Sequence, residues 1–281
     1  MSESSVTTTD GIRLSTRSDG PADAAPLLCC NSLGTGLDLW DPQVPGWSAH
    51  RRVLRFDQRG HGDSDAPEGA YHLDELGQDA LAVLDAYEVT RADVCGLSLG
   101  GVVAQWLAIN HPERVDRVVL ACTAARVGTQ DAWRERAQAV RDGGTAAIAD
   151  MVMERFFSPA FRERDPRTVA RFRQALIDTP DAGYIGSCLA LAQADLRAET
   201  PQLEAPTLVL AGSADEATPP SVMRELLHAI PSARWEELDG AGHLANLEDP
   251  VGFERAVLGH LSNCQCAPAV DLPVTGEVLN C

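Results

Sequence analysis

The sequence predicts an α/β fold, a mostly parallel sheet flanked by helices, with a helical cap inserted into it. Three observations carry that prediction. Short apolar runs alternate with longer helical patterns along most of the chain. The alternation stops after Cys122 and resumes at Pro206, with helical patterns but no strand-like run in between. A G-x-S-x-G-G run, Gly96 to Gly101, follows a strand-like segment and leads straight into a helix-like one. Continuous apolar runs separated by amphipathic helices read as parallel strands covered on both faces.

In chain order, the apolar runs Leu27–Cys30, Val53–Phe56, Val94–Cys95, Val118–Cys122 and Thr207–Ala211 are the expected buried strands. The helical patterns Leu73–Tyr87, Val102–Ile109, Val222–Ile230 and Val251–Leu261 are the expected covering helices. Between Cys122 and Pro206 the helical patterns are punctuated by Gly143-Gly144, Ser158-Pro159, Asp165-Pro166 and Thr179-Pro180, which break helices but do not make strands. Residues 1–124 are therefore expected to form the first part of the core, 125–199 the cap and 200–262 the second part of the core. After Leu261 no periodicity continues, and residues 263–281 are expected to be a flexible tail.

Composition narrows the partners. With 281 residues, 44% of them hydrophobic, the chain can bury a full core. A net charge of −18 argues against nucleic acid and anionic membranes as partners. No apolar run approaches the ~20 residues of a membrane span, and Met1–Asp10 has neither the basic nor the apolar stretch of a secretion signal. A cytoplasmic protein is expected, compatible with homo-oligomerisation. All 23 basic residues are arginine, and 11 of them lie within residues 125–199 beside 11 acids, so the cap is neutral in an acidic protein. The eight cysteines show no paired zinc-type spacing, and neither metal nor cofactor is expected.

The chemistry centres on Ser98. In a strand-turn-helix elbow the serine sits on a sharp turn, its neighbours two positions away must be small, and Gly96 and Gly100 are. A serine needs a base and a carboxylate to become a nucleophile, and in such a fold they follow in the order serine, acid, histidine at strand ends. Of the seven histidines, His243 alone follows a strand in that order, in Leu238-Asp-Gly-Ala-Gly-His243. His61, inside Asp57-Gln-Arg-Gly-His-Gly-Asp-Ser64, reads as part of a hydrogen-bonded structural turn. For the acid, Asp215 at the end of Thr207-Leu-Val-Leu-Ala-Gly-Ser-Ala-Asp215 competes with Glu216, Asp239 and Asp249, and its place after a strand favours it. An oxyanion would be held by the backbone N–H of Leu99 and that of Leu33, in the loop Asn31-Ser-Leu-Gly-Thr-Gly36, with Ser32 close by.

These residues together resemble the α/β-hydrolase superfamily, and within it the 3-oxoadipate enol-lactonases. The resemblance runs from about residue 10 to residue 262. It is carried by Asn31–Thr35, Leu39–Gln43, Phe56–Ser64, Gly96–Gly101, Thr123–Gly128 with Trp133, Phe157–Arg162, Thr179–Tyr184 and Asp215–Pro220. The elbow and Asp57–Ser64 are common to the superfamily, whereas the cap segments and Asn31–Thr35 are narrower. Two departures stand out: Gly242-His-Leu-Ala-Asn246 where the family usually has Ala-His-Leu-Ser-Asn, and a chain that continues past residue 262.

The resemblance implies cofactor-free hydrolysis of a small anionic lactone or ester through Ser98, His243 and Asp215. It also implies a fixed cation for the substrate carboxylate, for which Arg126 at the cap entrance is the first choice among the cap arginines, and Trp133 as a pocket wall. Other readings on the same fold are an esterase, a methyl esterase, a C–C hydrolase, or a non-hydrolytic cyclase acting on a biosynthetic intermediate. Relatives with an aspartate nucleophile are disfavoured by the serine in the elbow.

Overall fold

The computed structural model describes residues 2–262. The tail expected at 263–281, with Cys264, Cys266 and Cys281, lies outside the described residues. Eight strands, β1 (Ser2–Thr7), β2 (Arg13–Asp19), β3 (Pro26–Cys30), β4 (Arg52–Phe56), β5 (Ala92–Leu97), β6 (Val115–Ala121), β7 (Thr207–Gly212) and β8 (Ala233–Leu238), form one sheet in the order β1-β2-β4-β3-β5-β6-β7-β8. From β4 to β8 every pairing is parallel, and only the pairings of β2, with β1 and with β4, are antiparallel. The predicted α/β class with a mostly parallel sheet is what the chain adopts.

The central strands are continuous apolar runs because helices cover both faces. Every residue of β5 and of β7 is buried. The helices of the core are α1 (Val44–Trp47), α2 (Leu73–Ala86), α3 (Leu99–Asn110), α9 (Pro220–Ala229), α10 (Ala245–Glu248) and α11 (Pro250–Leu261). The strand-helix alternation places the C-terminal ends of β3, β5, β7 and β8 along one edge, where the order reverses on either side of β3, the customary place for a site in such sheets.

Between β6 and β7 lie α4 (Gln130–Gly143), α5 (Ala149–Phe156), α6 (Pro159–Arg164), α7 (Pro166–Asp178) and α8 (Asp181–Gln193). The Ser-Pro and Asp-Pro dipeptides that look like breaks in the sequence are helix starts. The Ser158 hydroxyl accepts from Phe161 N–H ahead of Pro159, and Asp165 accepts from Thr168 N–H ahead of Pro166. A side-chain acceptor at the cap position satisfies one orphan N–H, and proline at the first helical position gives up an N–H that had no partner. The amphipathic cap helices bury Ala137 and Val140 of α4, Val152, Met153 and Phe156 of α5, and Phe172 and Leu176 of α7. Phe157 stacks on Phe161 with ring centroids 5.1 Å apart and meets Phe172 edge-on at 6.1 Å. No helix of the described residues is long and apolar enough to cross a membrane.

Candidate active site

Ser98 stands at the turn between β5 and α3 with φ 57° and ψ −116°, a left-handed backbone rare for a residue with a side chain. The turn closes only around small neighbours. A Cβ on Gly96 would lie 2.2 Å from the Gly100 carbonyl oxygen, and one on Gly100 would lie 2.0 Å from that of Cys30. The strained backbone is held from three sides: Ser98 N–H donates to the Ala121 carbonyl at 3.0 Å, and the Ser98 carbonyl accepts from Val102 N–H at 3.1 Å and from the Thr123 hydroxyl at 2.8 Å.

Asp215 and His243, 28 residues apart, meet through a 2.8 Å hydrogen bond between Nδ1 and Oδ2. Both are buried. The carboxylate also accepts from Ala217 N–H at 2.7 Å, Thr218 N–H at 3.0 Å and the Thr218 hydroxyl at 2.8 Å. Burial pulls the Asp215 carboxyl upward, but the charge and hydrogen bond of His243, with the donors of Thr218, outweigh it and hold the carboxyl below its ordinary value. The ring uses Nδ1 for Asp215 and for a longer 3.4 Å contact to Thr218, so Nε2 has no hydrogen-bond partner among the described residues. The other acids considered lie elsewhere. Glu216 and Asp239 are exposed, and Asp249 caps α11.

Ser98 and His243 open on one cavity with Ser32, Leu33, Trp133, Arg136, Val152, Arg155, Phe156, Tyr184 and Ala217 among its walls. The hydrogen bond from Ser98 to the ring is not formed in this structure, a contact that commonly tightens only around substrate. Leu33 and Leu99 are buried, and their backbone N–H groups donate to no protein acceptor among the described hydrogen bonds. The buried Ser32 hydroxyl is also without a partner.

The loop that carries Leu33 is set by the turn beneath it. Asn31 donates to the Phe56 carbonyl at 2.7 Å and accepts from Trp40 Nε1 at 2.7 Å. Gly34 N–H donates to His61 Nε2 at 2.9 Å, while His61 Nδ1 faces the Arg59 carbonyl at 3.2 Å. Wholly buried, His61 is pushed down to about 4 and stays neutral, as an acceptor at Nε2 requires. Three residues on, the chain is pinned by Asp57, whose Oδ1 accepts from Leu37 N–H at 2.7 Å. The turn reaches the cap too, since Gly60 and Gly183 pack backbone against backbone.

Of the residues singled out for substrate, Ser32 and Trp133 face the cavity and Arg126 does not. Arg126 pairs with Asp195 at 3.3 Å and lines a separate surface depression with Gln130 and Gln193. The pairing arises because Leu196 N–H bonds the Ala125 carbonyl and brings the two segments together. The cations of the cavity are instead Arg136 and Arg155. Neither has a carboxylate partner among the described residues, and Arg136 lies 4.6 Å from the Trp133 ring centroid. Arg136 follows Trp133 by three positions on α4, one helical turn, a spacing that puts both on one face and could have been read from the sequence. Tyr184, another wall of the cavity, is buried, and burial raises its phenol well above the ordinary value. Among the described residues no group of three or more acidic, histidine or cysteine side chains could hold a metal ion.

A family model described as alpha/beta hydrolase fold matches residues 25–250. The chain belongs to the α/β hydrolase family. It is 39% identical over 250 residues to 3-oxoadipate enol-lactonase 2 of Acinetobacter baylyi, covering 89% of this chain and 93% of the relative. Among solved structures it is similar to a hydrolase from Pseudomonas aeruginosa PA01, with a TM-score of 0.90 at 44% identity, covering 92% of this chain and 98% of that one. It is similar also to the enol-lactonase from Burkholderia xenovorans LB400, with a TM-score of 0.89 at 40% identity, covering 92% of this chain and 99% of that one.

Proposed function

We infer that this chain opens the lactone ring of 3-oxoadipate enol-lactone, or of a close carboxylated analogue, by serine acyl transfer. It is a carboxylic ester hydrolase, the class of its enol-lactonase relatives. His243, oriented by Asp215, takes the proton of Ser98 as Oγ bonds to the lactone carbonyl carbon. The Leu33 and Leu99 N–H groups receive the charge on the carbonyl oxygen. Collapse of the tetrahedral intermediate breaks the ring C–O bond, and the departing enolate takes the proton from His243 on its way to the ketone. Water, deprotonated by the same histidine, then releases the acid and restores Ser98. The five cysteines described, all buried and unpaired, suit a reducing cytoplasm.

The observation that carries the choice of substrate is the presence of Arg136 and Arg155 on the wall of the cavity that Ser98 opens on, neither paired with a carboxylate of the protein. Two such cations beside an ester-cleaving site favour an ester that carries its own carboxylate. The test is hydrolysis of the enol-lactone and of neutral p-nitrophenyl acetate by the wild type and by Arg136→Gln. A rise in KM of about tenfold or more for the lactone, with the neutral ester unchanged, is expected. Equal kinetics of both proteins on both esters would remove the carboxylate from the reading.

A further inference from the structure

The segment that follows His243 is fastened to the end of α5, a contact that the acyl-transfer reading does not use. The Phe156 ring, last in α5, stacks on the His243 ring with centroids 5.9 Å apart and planes 24° from parallel. The Phe156 carbonyl accepts from Leu244 N–H at 3.0 Å. Two residues on, Ser158 gives both its donors to Glu248, the backbone N–H to Oε1 at 2.8 Å and the hydroxyl to Oε2 at 2.6 Å. Glu248 is buried, its carboxyl meets no cation among the described residues, and Arg164 reaches only its backbone carbonyl at 2.7 Å. The fit leaves no spare room at Gly242, beside the histidine: a Cβ there would lie 2.6 Å from Glu248 Oε1 and 2.7 Å from Ser158 N. A buried carboxyl without a cation is an expensive way to fill space, so its two bonds to Ser158 demand a purpose.

We propose that Glu248 is a positioning residue for both the base and the substrate wall. By gripping Ser158 it sets the end of α5, and α5 brings Phe156 against the His243 ring and Arg155 to the cavity. The cap thus governs the orientation of the base as well as the shape of the pocket. The proposal rests on the serine-hydrolase reading above.

The test compares wild type, Glu248→Ala, Glu248→Gln and Ser158→Ala on the enol-lactone and on p-nitrophenyl acetate, with melting temperatures alongside. Glu248→Ala is expected to lower kcat on both esters by about 10- to 100-fold, the scale of a misplaced catalytic group, and to raise KM for the lactone alone. Glu248→Gln, which can still accept from Ser158 N–H and donate to its hydroxyl, should recover kcat to within about threefold of wild type. Ser158→Ala should lower kcat in the same sense, and added to Glu248→Ala should cause little further loss. Glu248→Ala and Ser158→Ala with wild-type kcat and KM, whatever their melting temperatures, would overturn the proposal by reducing the contact to a staple. If Glu248→Ala does not fold, Ser158→Ala and Glu248→Gln decide on the same criteria. Ser98→Ala is run in parallel: activity surviving in it overturns the serine-hydrolase reading and this proposal with it, whereas its loss beside unaltered Glu248 and Ser158 variants overturns this proposal alone.

Discussion

His61 offers a prediction whose size comes from the structure. Its ring is fully buried and neutral, accepting from Gly34 N–H, and its pKa is pushed from 6.5 to about 4 by burial. The folded state therefore resists a proton that the unfolded chain accepts below pH 6.5. Between about pH 6.5 and 4 the unfolded state binds more protons, so stability contributed by this site falls as the pH falls, and below about 4 the loss is complete. At about 1.4 kcal/mol per pH unit the loss approaches ~3 kcal/mol. Asp57 and Asp93, each raised to about 6 by burial, act in the opposite direction over an overlapping range, so the wild-type curve alone does not isolate His61. The comparison with His61→Gln does, because the amide oxygen can accept from Gly34 and cannot titrate. Urea unfolding at intervals from pH 7.5 to 4 should show the wild type losing up to ~3 kcal/mol more than the variant. Parallel curves for the two proteins would refute a buried neutral histidine beneath the Leu33 loop.

Two further outcomes follow from the site. Gly100→Ala places a Cβ 2.0 Å from the Cys30 carbonyl oxygen, a backbone atom that cannot swing aside, and should destabilise the protein by more than about 3 kcal/mol in urea unfolding as well as abolish activity. A stable, active variant would mean that the elbow and the Cys30 strand end are not in contact. Asp215→Asn keeps the shape but loses the carboxylate that holds Nδ1–H, and steady-state kinetics should show kcat down by about 10⁴-fold with KM little changed. A loss below tenfold would assign the orienting role elsewhere.

The sheet was legible wherever both faces are covered. Leu27–Cys30 and Thr207–Ala211 are apolar runs because nothing on either side of them is wet, and Val53–Phe56 departs from this only at Arg55, which is buried against Asp19. β1 and β2 escaped that reading, since they form the antiparallel edge and are built of serine, threonine and arginine, with burial changing from residue to residue along β2. β8 is the other edge, mostly exposed, and only its end at Leu238 stood out. At the site, motif and chain order sufficed to single out Ser98, Asp215 and His243, because an elbow restricts its neighbours and the fold fixes the sequence of partners. The three-residue spacing of Trp133 and Arg136 was legible, but that Arg126 turns away from the pocket was not. That depends on Asp195, 69 residues from Arg126, whose pairing is a product of the tertiary fold. The roles of Phe156 and Glu248 were hidden for the same reason, since Ser158 and Glu248 lie 90 residues apart in the sequence.

Covalent labelling decides whether Ser98 carries the acyl group. The protein is treated with a serine-reactive fluorophosphonate, the modified peptide is located by mass spectrometry, and activity on the enol-lactone is followed in the same samples. One label per chain is expected, on Ser98, with activity lost in proportion and with Ser98→Ala both unlabelled and slower by about 10⁴-fold or more. Labelling at another residue, or a Ser98→Ala protein that still opens the lactone at the wild-type rate, would contradict it.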